Sequence, residues 1–167
     1  MARPALLRPL EALETHGVRY VVIGGIAAIA QGYPLTTHDL DVTPDRNTEN
    51  LERLARALRD LGVRLRVARG PAVEFPMDAS FLGEAASWTF ETNEGLSFDV
   101  LFEPAGTAGY SDLAQDAVAL DLGEGLVAKV ASLRDLIRMK QAAGRPKDLA
   151  QIPALLATLE EARARGE

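Results

Sequence analysis

Two neighbouring segments decide the fold: Val18-Arg-Tyr-Val-Val-Ile-Gly-Gly-Ile-Ala-Ala-Ile-Ala-Gln-Gly32 and Thr36-Thr-His-Asp-Leu-Asp-Val42. The β-branched and aromatic start of the first segment predicts a buried strand that ends at a diglycine. The alanine-rich remainder predicts a helix of about two turns. The second segment alternates polar and apolar residues, which is typical of a strand.

Two aspartates share one face of this second strand. Side chains alternate along a strand, so Asp39 and Asp41 point one way while Leu40 and Val42 point into the core. At ~4 Å and an effective dielectric of 20, two such carboxylates repel each other by about 4 kcal/mol, and a divalent cation between them relieves that repulsion. The alternative is a pair of solvated side chains on a half-exposed strand, although aspartate is depleted in strands.

A third aspartate and the diglycine complete the set of candidate site residues. Asp99 lies in the apolar run Leu96-Ser-Phe-Asp-Val-Leu-Phe102, where a buried charge needs either a metal or an ion-pair partner, unless the strand lies at an edge. Gly24 and Gly25 let a ligand approach the backbone, and a helix that begins there offers N–H groups to phosphate. A tight turn explains the diglycine equally well.

The rest of the chain supplies further helices and strands around these segments. Apolar spacing predicts helices over residues 4–15, 48–61, 132–140 and 147–162. Alternation and turn signals predict strands over residues 63–67, 87–92, 96–102, 117–122 and 126–130. Residues 70–86 show no firm period.

This order of elements predicts an α/β (α+β) protein with a mixed β-sheet, flanking helices and a C-terminal helical pair. Residues 1–131 are expected to form the main domain, with a helical segment of residues 132–167 packed on it; a single domain of residues 1–167 is the alternative.

Composition and charge narrow the function classes. The 167 residues are 47% apolar and 25% charged, which are globular values that exclude a disordered or collagen-like chain. Cysteine is absent, which excludes disulfides and thiolate zinc sites, and no apolar run reaches the ~20 residues of a membrane helix. A cytoplasmic protein that does not bind membranes is therefore expected.

The charges are unevenly distributed along the chain. Residues 70–128 contain eleven acidic residues and no lysine or arginine, whereas residues 129–147 contain six basic residues and one acid. Solvated helix faces explain such runs. A site where a polyanion meets basic side chains and a carboxylate-bound metal also explains them, and charge alone does not choose between the two.

Together, Gly24-Gly25, Asp39-x-Asp41 and Asp99 resemble the carboxylate triad of the nucleotidyltransferase superfamily, which has a DNA polymerase β-like palm. The two opening segments are similar to the AbiEii-type branch, which includes toxins of toxin–antitoxin pairs. A later segment resembles the lysine-rich helical motif of that branch: Asp135-Leu-Ile-Arg-Met-Lys-Gln-Ala-Ala-Gly-Arg-Pro-Lys-Asp-Leu149. The resemblance spans about residues 18–156.

The resemblance implies a Mg²⁺-dependent enzyme that moves a nucleoside monophosphate (NMP) from a nucleoside triphosphate (NTP) to a hydroxyl of an RNA end such as that of tRNA, of a protein, or of a small molecule. The implied catalytic and metal-binding residues, which would hold two Mg²⁺ ions, are Asp39, Asp41 and Asp99. The implied nucleotide-binding residues are Gly24, Gly25, Lys140, Lys147 and Asp148. A toxin role would imply a cognate antitoxin, and a non-catalytic binding protein of a toxin–antitoxin pair is the alternative.

Overall fold

The structure is a computed structural model that describes residues 4–167. Within these residues the helices are α1 (Leu7–Thr15), α2 (Gly24–Ala30), α3 (Thr48–Leu61), α4 (Ala79–Leu82), α5 (Tyr110–Asp116), α6 (Leu133–Ala143) and α7 (Pro146–Ala164). The strands are β1 (Tyr20–Ile23), β2 (Asp39–Pro44), β3 (Arg64–Leu65), β4 (Ser87–Glu91), β5 (Ser97–Leu101), β6 (Val118–Asp121) and β7 (Val127–Val130).

The described strands form one mixed sheet in the order β3-β4-β5-β2-β1-β7-β6. Strand β2 is antiparallel to β1 and parallel to β5, so the two aspartate-bearing strands are direct neighbours near the middle of the sheet. The mixed sheet with flanking helices confirms the predicted fold class. The division into residues 1–131 and 132–167 stays a prediction.

The core explains why β2 and β5 hold their register. Leu40 is paired with Phe98 and Val42 with Val100, and all four side chains are fully buried. A shift of one residue would turn these apolar side chains to the other face, which fixes the pairing strongly. The alternate positions of the same strands therefore carry their aspartates on the opposite face.

Side-chain caps and a glycine set the ends of helices α3 and α6. Asn47 caps α3 by accepting a hydrogen bond from the backbone N–H of Asn50, and Ser132 caps α6 by accepting one from the N–H of Asp135. Helix α6 ends at Gly144, whose φ of 64° is left-handed. Helices α6 and α7 pack against each other, and α6 also contacts α2, which brings the C-terminal pair to the diglycine turn.

Three features differ from the sequence prediction. The strand expected over residues 63–67 contains only Arg64 and Leu65, because the chain turns back so that Leu65 pairs with Val73. Helices α4 and α5 were not predicted, since each is too short to show a helical period and buries only one residue.

No helix within residues 4–167 combines the length and apolarity needed to cross a membrane.

Candidate active site

A pair of carboxyl groups forms the centre of the site. Asp41 on β2 lies directly opposite Asp99 on β5, and in a parallel pair both side chains project from the same face. The two carboxyl groups are close enough to share a hydrogen bond when one of them carries a proton. Like charges placed opposite each other on neighbouring strands are destabilising, so the Asp41–Asp99 pair places the fold under electrostatic strain.

The strain is visible in the acidity of Asp41. Burial, followed by the hydrogen bond and the charge of Asp99, raises the pKa of Asp41 to about 7, and the charge of Asp39 adds to the effect. Lys140 acts in the opposite direction but does not cancel it. A fraction of the Asp41 carboxyl groups therefore carries a proton at neutral pH, and a bound cation would displace that proton.

The diglycine turn leaves room for this pair. Gly24 has a φ of 67°, and a Cβ atom at this position would collide with the carboxylate of Asp41. A Cβ at Gly25 would lie 3.2 Å from two carbon atoms of the Thr37 side chain. Glycine is therefore required at position 24 both for the left-handed turn and for the close approach of the Asp41 carboxylate.

The third predicted carboxylate lies at the edge of the group. Asp39 is exposed at the start of β2 and is paired in register with Ser97, two residues before Asp99. Among residues 4–167, no group of three or more acidic, histidine or cysteine side chains is arranged to hold a metal ion. The structure thus brings Asp41 and Asp99 into contact and leaves Asp39 beside them on the same face.

A basic cluster from the C-terminal helices lies next to the aspartates. Asp148 is 1% exposed and accepts hydrogen bonds from Lys140 at 3.2 Å and from Arg145 at 2.6 Å. The Arg145 hydrogen bond, together with Lys140, lowers the pKa of Asp148 to about 2. Asp148 therefore holds the two cations in place across the α6–α7 junction.

An open cavity of about 280 Å³ joins these groups. Six of the eight predicted site residues line it: Gly24, Gly25, Asp39, Asp41, Lys140 and Lys147. Asp148 and Asp99 do not line it, but Asp148 is hydrogen-bonded to Lys140 and Asp99 is paired with Asp41. Lys147 is exposed and forms no ion pair with any residue from 4 to 167, so its charge is free to meet a ligand.

Besides the six predicted site residues, eight others line the cavity, among them Tyr33, Arg145, Gln151 and Leu155, none of which the sequence analysis assigned to the site. Arg145 could have been found, because it precedes Pro146 at the start of α7 and stands three residues before Asp148, the spacing of a first-turn pair. The other three carry no local signal, since their role depends on the packing of α7 beside the loop that follows α2.

A second, smaller cavity of about 190 Å³ adjoins the first and shares with it Gly24, Leu136, Lys140 and Arg145. Its remaining wall is mostly apolar and includes Leu101, which stands two residues after Asp99 and therefore on the same face of β5. The two cavities therefore meet at Gly24, the residue whose missing side chain leaves room for the Asp41 carboxylate.

Comparison with known proteins finds similar structures but no similar sequence. The chain matches no protein-family model and no curated protein sequence. The lincosamide antibiotic adenylyltransferase LnuA, in its lincomycin-bound structure, superposes with a TM-score of 0.62 at 13% identity over 95% of this chain and 98% of that one.

Two further structures have similar architecture. ANT(2″)-Ia in complex with adenylyl-2″-tobramycin gives a TM-score of 0.60 at 16% identity over 95% of this chain and 91% of that one. A candidate nucleotidyltransferase from Thermotoga maritima gives 0.57 at 18% identity over 94% and 96%. The carboxyl pair, the diglycine turn and the basic helices are thus set in a chain that has the nucleotidyltransferase fold.

Proposed function

We propose that this protein is a nucleotidyltransferase that moves an NMP from an NTP to an acceptor hydroxyl. The observation that carries the proposal is the strained Asp41–Asp99 pair, which borders a cavity lined by Lys140, Arg145 and Lys147. Carboxylates that repel each other beside unpaired or exposed cations suit a ligand that brings both phosphate and a divalent cation. The adenylyltransferase activity named for LnuA supports the same reaction class.

The residues fit Mg²⁺ as the cation. Mg²⁺ takes oxygen ligands and is commonly bound through one or two carboxylates, with water and substrate phosphates supplying the rest. Asp41 and Asp99 provide two such carboxylates in contact, and Asp39 lies beside them on the same face. When bound, Mg²⁺ would offset the phosphate charge and polarise the phosphorus–oxygen bonds. Whether one or two ions bind stays a prediction.

The protein's own groups have distinct tasks in this reaction. Gly24 and Gly25 leave the floor of the cavity free of side chains, so phosphate oxygens can approach the backbone. Lys140, held by Asp148, and the unpaired Lys147 attract the triphosphate and stabilise the charge that passes to the leaving pyrophosphate.

The remaining task is removal of a proton from the acceptor. The hydroxyl oxygen of the acceptor forms a bond to the α-phosphorus, the bond from that phosphorus to the bridging oxygen of the β-phosphate breaks, and pyrophosphate leaves. The hydroxyl proton passes to a carboxylate oxygen of Asp99, which is paired with Asp41 but does not line the nucleotide cavity.

The smaller cavity supports a small molecule as the first acceptor to test. Its wall is mostly apolar and includes Leu101, Pro104 and Met139, which suits an acceptor with an apolar surface better than a ribose-phosphate chain. LnuA and ANT(2″)-Ia are both described with antibiotic molecules bound. The sequence resemblance leaves an RNA end and a protein side chain open beside a small molecule, and the toxin role with its antitoxin stays a prediction.

The test incubates the protein with each α-labelled NTP, Mg²⁺ and, in separate reactions, total RNA, lysate proteins or a small-molecule extract. We expect label to move to one acceptor class and expect Asp41→Asn to abolish the transfer. Metal-dependent NTP binding without any transfer would instead indicate the non-catalytic alternative. Equal transfer by Asp41→Asn and by the wild-type protein would contradict the proposed site.

A further inference from the structure

We propose that Tyr33 and Gln151 form the nucleoside end of the cavity and that its base is adenine, an inference that rests on the proposed function. The charged groups explain how phosphate is bound but not what occupies the opposite wall. That wall contains Tyr33, Leu35, Gln151 and Leu155, none of which carries a charge. The cavity is therefore divided into a charged end and an uncharged end, as a nucleotide is.

Helix α7 sets the direction of this division. Lys147, Gln151 and Leu155 are spaced four residues apart, so they form one stripe along the helix. The stripe runs from a free cation through an amide to an apolar side chain over about 12 Å. A triphosphate placed at Lys147, beside Asp41 and the diglycine, would put the sugar between Lys147 and Gln151 and the base beside Gln151 and Leu155.

Tyr33 provides the aromatic surface at the apolar end. It is half-buried and packs against the core, and its backbone N–H donates a 3.0 Å hydrogen bond to the carbonyl oxygen of Ala28. The preceding Gly32 lies against α7, since a Cβ there would be 3.8 Å from the Thr158 side chain. This packing brings the tyrosine loop and the stripe on α7 into one wall, and a ring in such a place can stack on a nucleobase.

The other large aromatic side chains serve the core or lie elsewhere. Trp88 stacks on Phe81 at 4.4 Å and donates a hydrogen bond to the carbonyl oxygen of Leu82. Tyr110 begins α5 and lines neither of the two adjoining cavities at the site. Tyr33 is thus the aromatic residue that the described structure offers to a ligand at this site.

Gln151 gives this end its selectivity. Its side-chain amide makes no hydrogen bond to any residue within 4–167, although the residue is half-buried in the cavity wall. An amide offers a donor and an acceptor side by side, which complements the amino group and adjacent ring nitrogen of adenine. Adenine, with its two fused rings, also gives a larger stacking surface on Tyr33 than a pyrimidine does.

Calorimetric titration of the Mg²⁺-containing protein with ATP, GTP, CTP, UTP and inorganic tripolyphosphate tests this proposal. We expect the wild-type protein to bind ATP most tightly. Tyr33→Ala should weaken ATP binding about tenfold and leave tripolyphosphate binding unchanged, while Tyr33→Phe should recover the ATP affinity because the ring is retained. Tyr110→Ala is the matched control and should bind ATP as the wild-type protein does.

Gln151→Ala should reduce the preference for ATP over GTP by about fivefold or more, and Gln141→Ala, an exposed glutamine on α6, should not. The inference is overturned if Tyr33→Ala binds ATP normally, if it loses tripolyphosphate binding equally, or if the wild-type protein binds GTP or a pyrimidine nucleotide as tightly as ATP. Failure of the wild-type protein to bind either ATP or tripolyphosphate would overturn the proposed function, and this inference with it.

Discussion

Two charged clusters border the same cavity, and they differ in how far their charges are satisfied. In the helical cluster, buried Asp148 meets the charges of Lys140 and Arg145 with hydrogen bonds of 3.2 Å and 2.6 Å. In the sheet cluster, Asp41 meets a second carboxyl group instead, and its pKa is raised to about 7. The charges of the helical cluster are therefore balanced within the protein. The carboxyl groups of the sheet cluster have no such partner and are available to a ligand.

The difference separates a structural role from a functional one. Breaking the helical cluster should reduce stability, because a satisfied ion pair is lost. Changing the sheet cluster should reduce function while it improves stability, because a repulsion is lost. Four substitutions test this contrast.

Asp41→Asn should have the largest effect. We expect nucleotide transfer to fall at least about 100-fold, since a charge that would hold the cation and phosphate is removed. We also expect the free energy of unfolding without Mg²⁺ at pH 8 to rise by about 2 kcal/mol, because the raised pKa of Asp41 marks a charged form that the fold disfavours. Transfer assays and urea denaturation measure the two effects, and a destabilised variant would contradict the strain described for this pair.

Gly24→Ala should reduce both stability and NTP binding. The left-handed φ and the collision with the Asp41 carboxylate predict a loss of about 3 kcal/mol of unfolding free energy and no measurable NTP binding. Gly95→Ala is the matched control, since Gly95 has a φ of 79° and no atom within 4 Å of the new Cβ. It should cost about 1 kcal/mol and leave NTP binding intact. Equal losses in the two variants would show that backbone strain alone is responsible.

Asp148→Asn should destabilise the protein by about 2 kcal/mol at pH 7, because two charge-assisted hydrogen bonds are weakened. The Asp148 pKa is lowered from 3.8 to about 2, so its stabilisation is fully present only well above the unfolded pKa of 3.8 and is lost as the pH falls from there through 2. The stability difference from wild type should therefore shrink between pH 5 and pH 2 in chemical denaturation. Asp116→Asn, at an exposed position, should show no such difference; a constant difference across this range would contradict the ion-pair explanation.

Lys147→Ala should have the smallest effect. The side chain is exposed and has no ion-pair partner within residues 4–167, so stability should change by less than about 0.5 kcal/mol. Tripolyphosphate binding should weaken about threefold to tenfold at low salt, and the difference should diminish as salt screens the charge. Lys129→Ala, a lysine outside the cavity, should not alter binding; a matching decrease there would indicate a general charge effect.

Much of the fold could be predicted from local sequence signals. The caps at Asn47 and Ser132, the apolar face of α3 and the hairpin around Gly95 follow from residues within a few positions of one another. Helices α4 and α5 were missed because a helix of one or two turns buries too few residues to leave a period. The site was partly predictable, because charged residues within apolar strands are conspicuous in the sequence. Tyr33 and Gln151 carry no such local signal.

By itself, the sequence determined that Asp39 and Asp41 share a face, because the alternation of a strand follows from its backbone geometry alone. It also determined that Gly24 ends a buried strand at a turn. Only the tertiary structure decided that β5 lies beside β2 in the register that opposes Asp99 to Asp41, because strand order depends on the burial of the whole sheet. The packing of α7 beside the loop after α2 likewise decided which residues face the cavity, since it joins side chains more than a hundred positions apart.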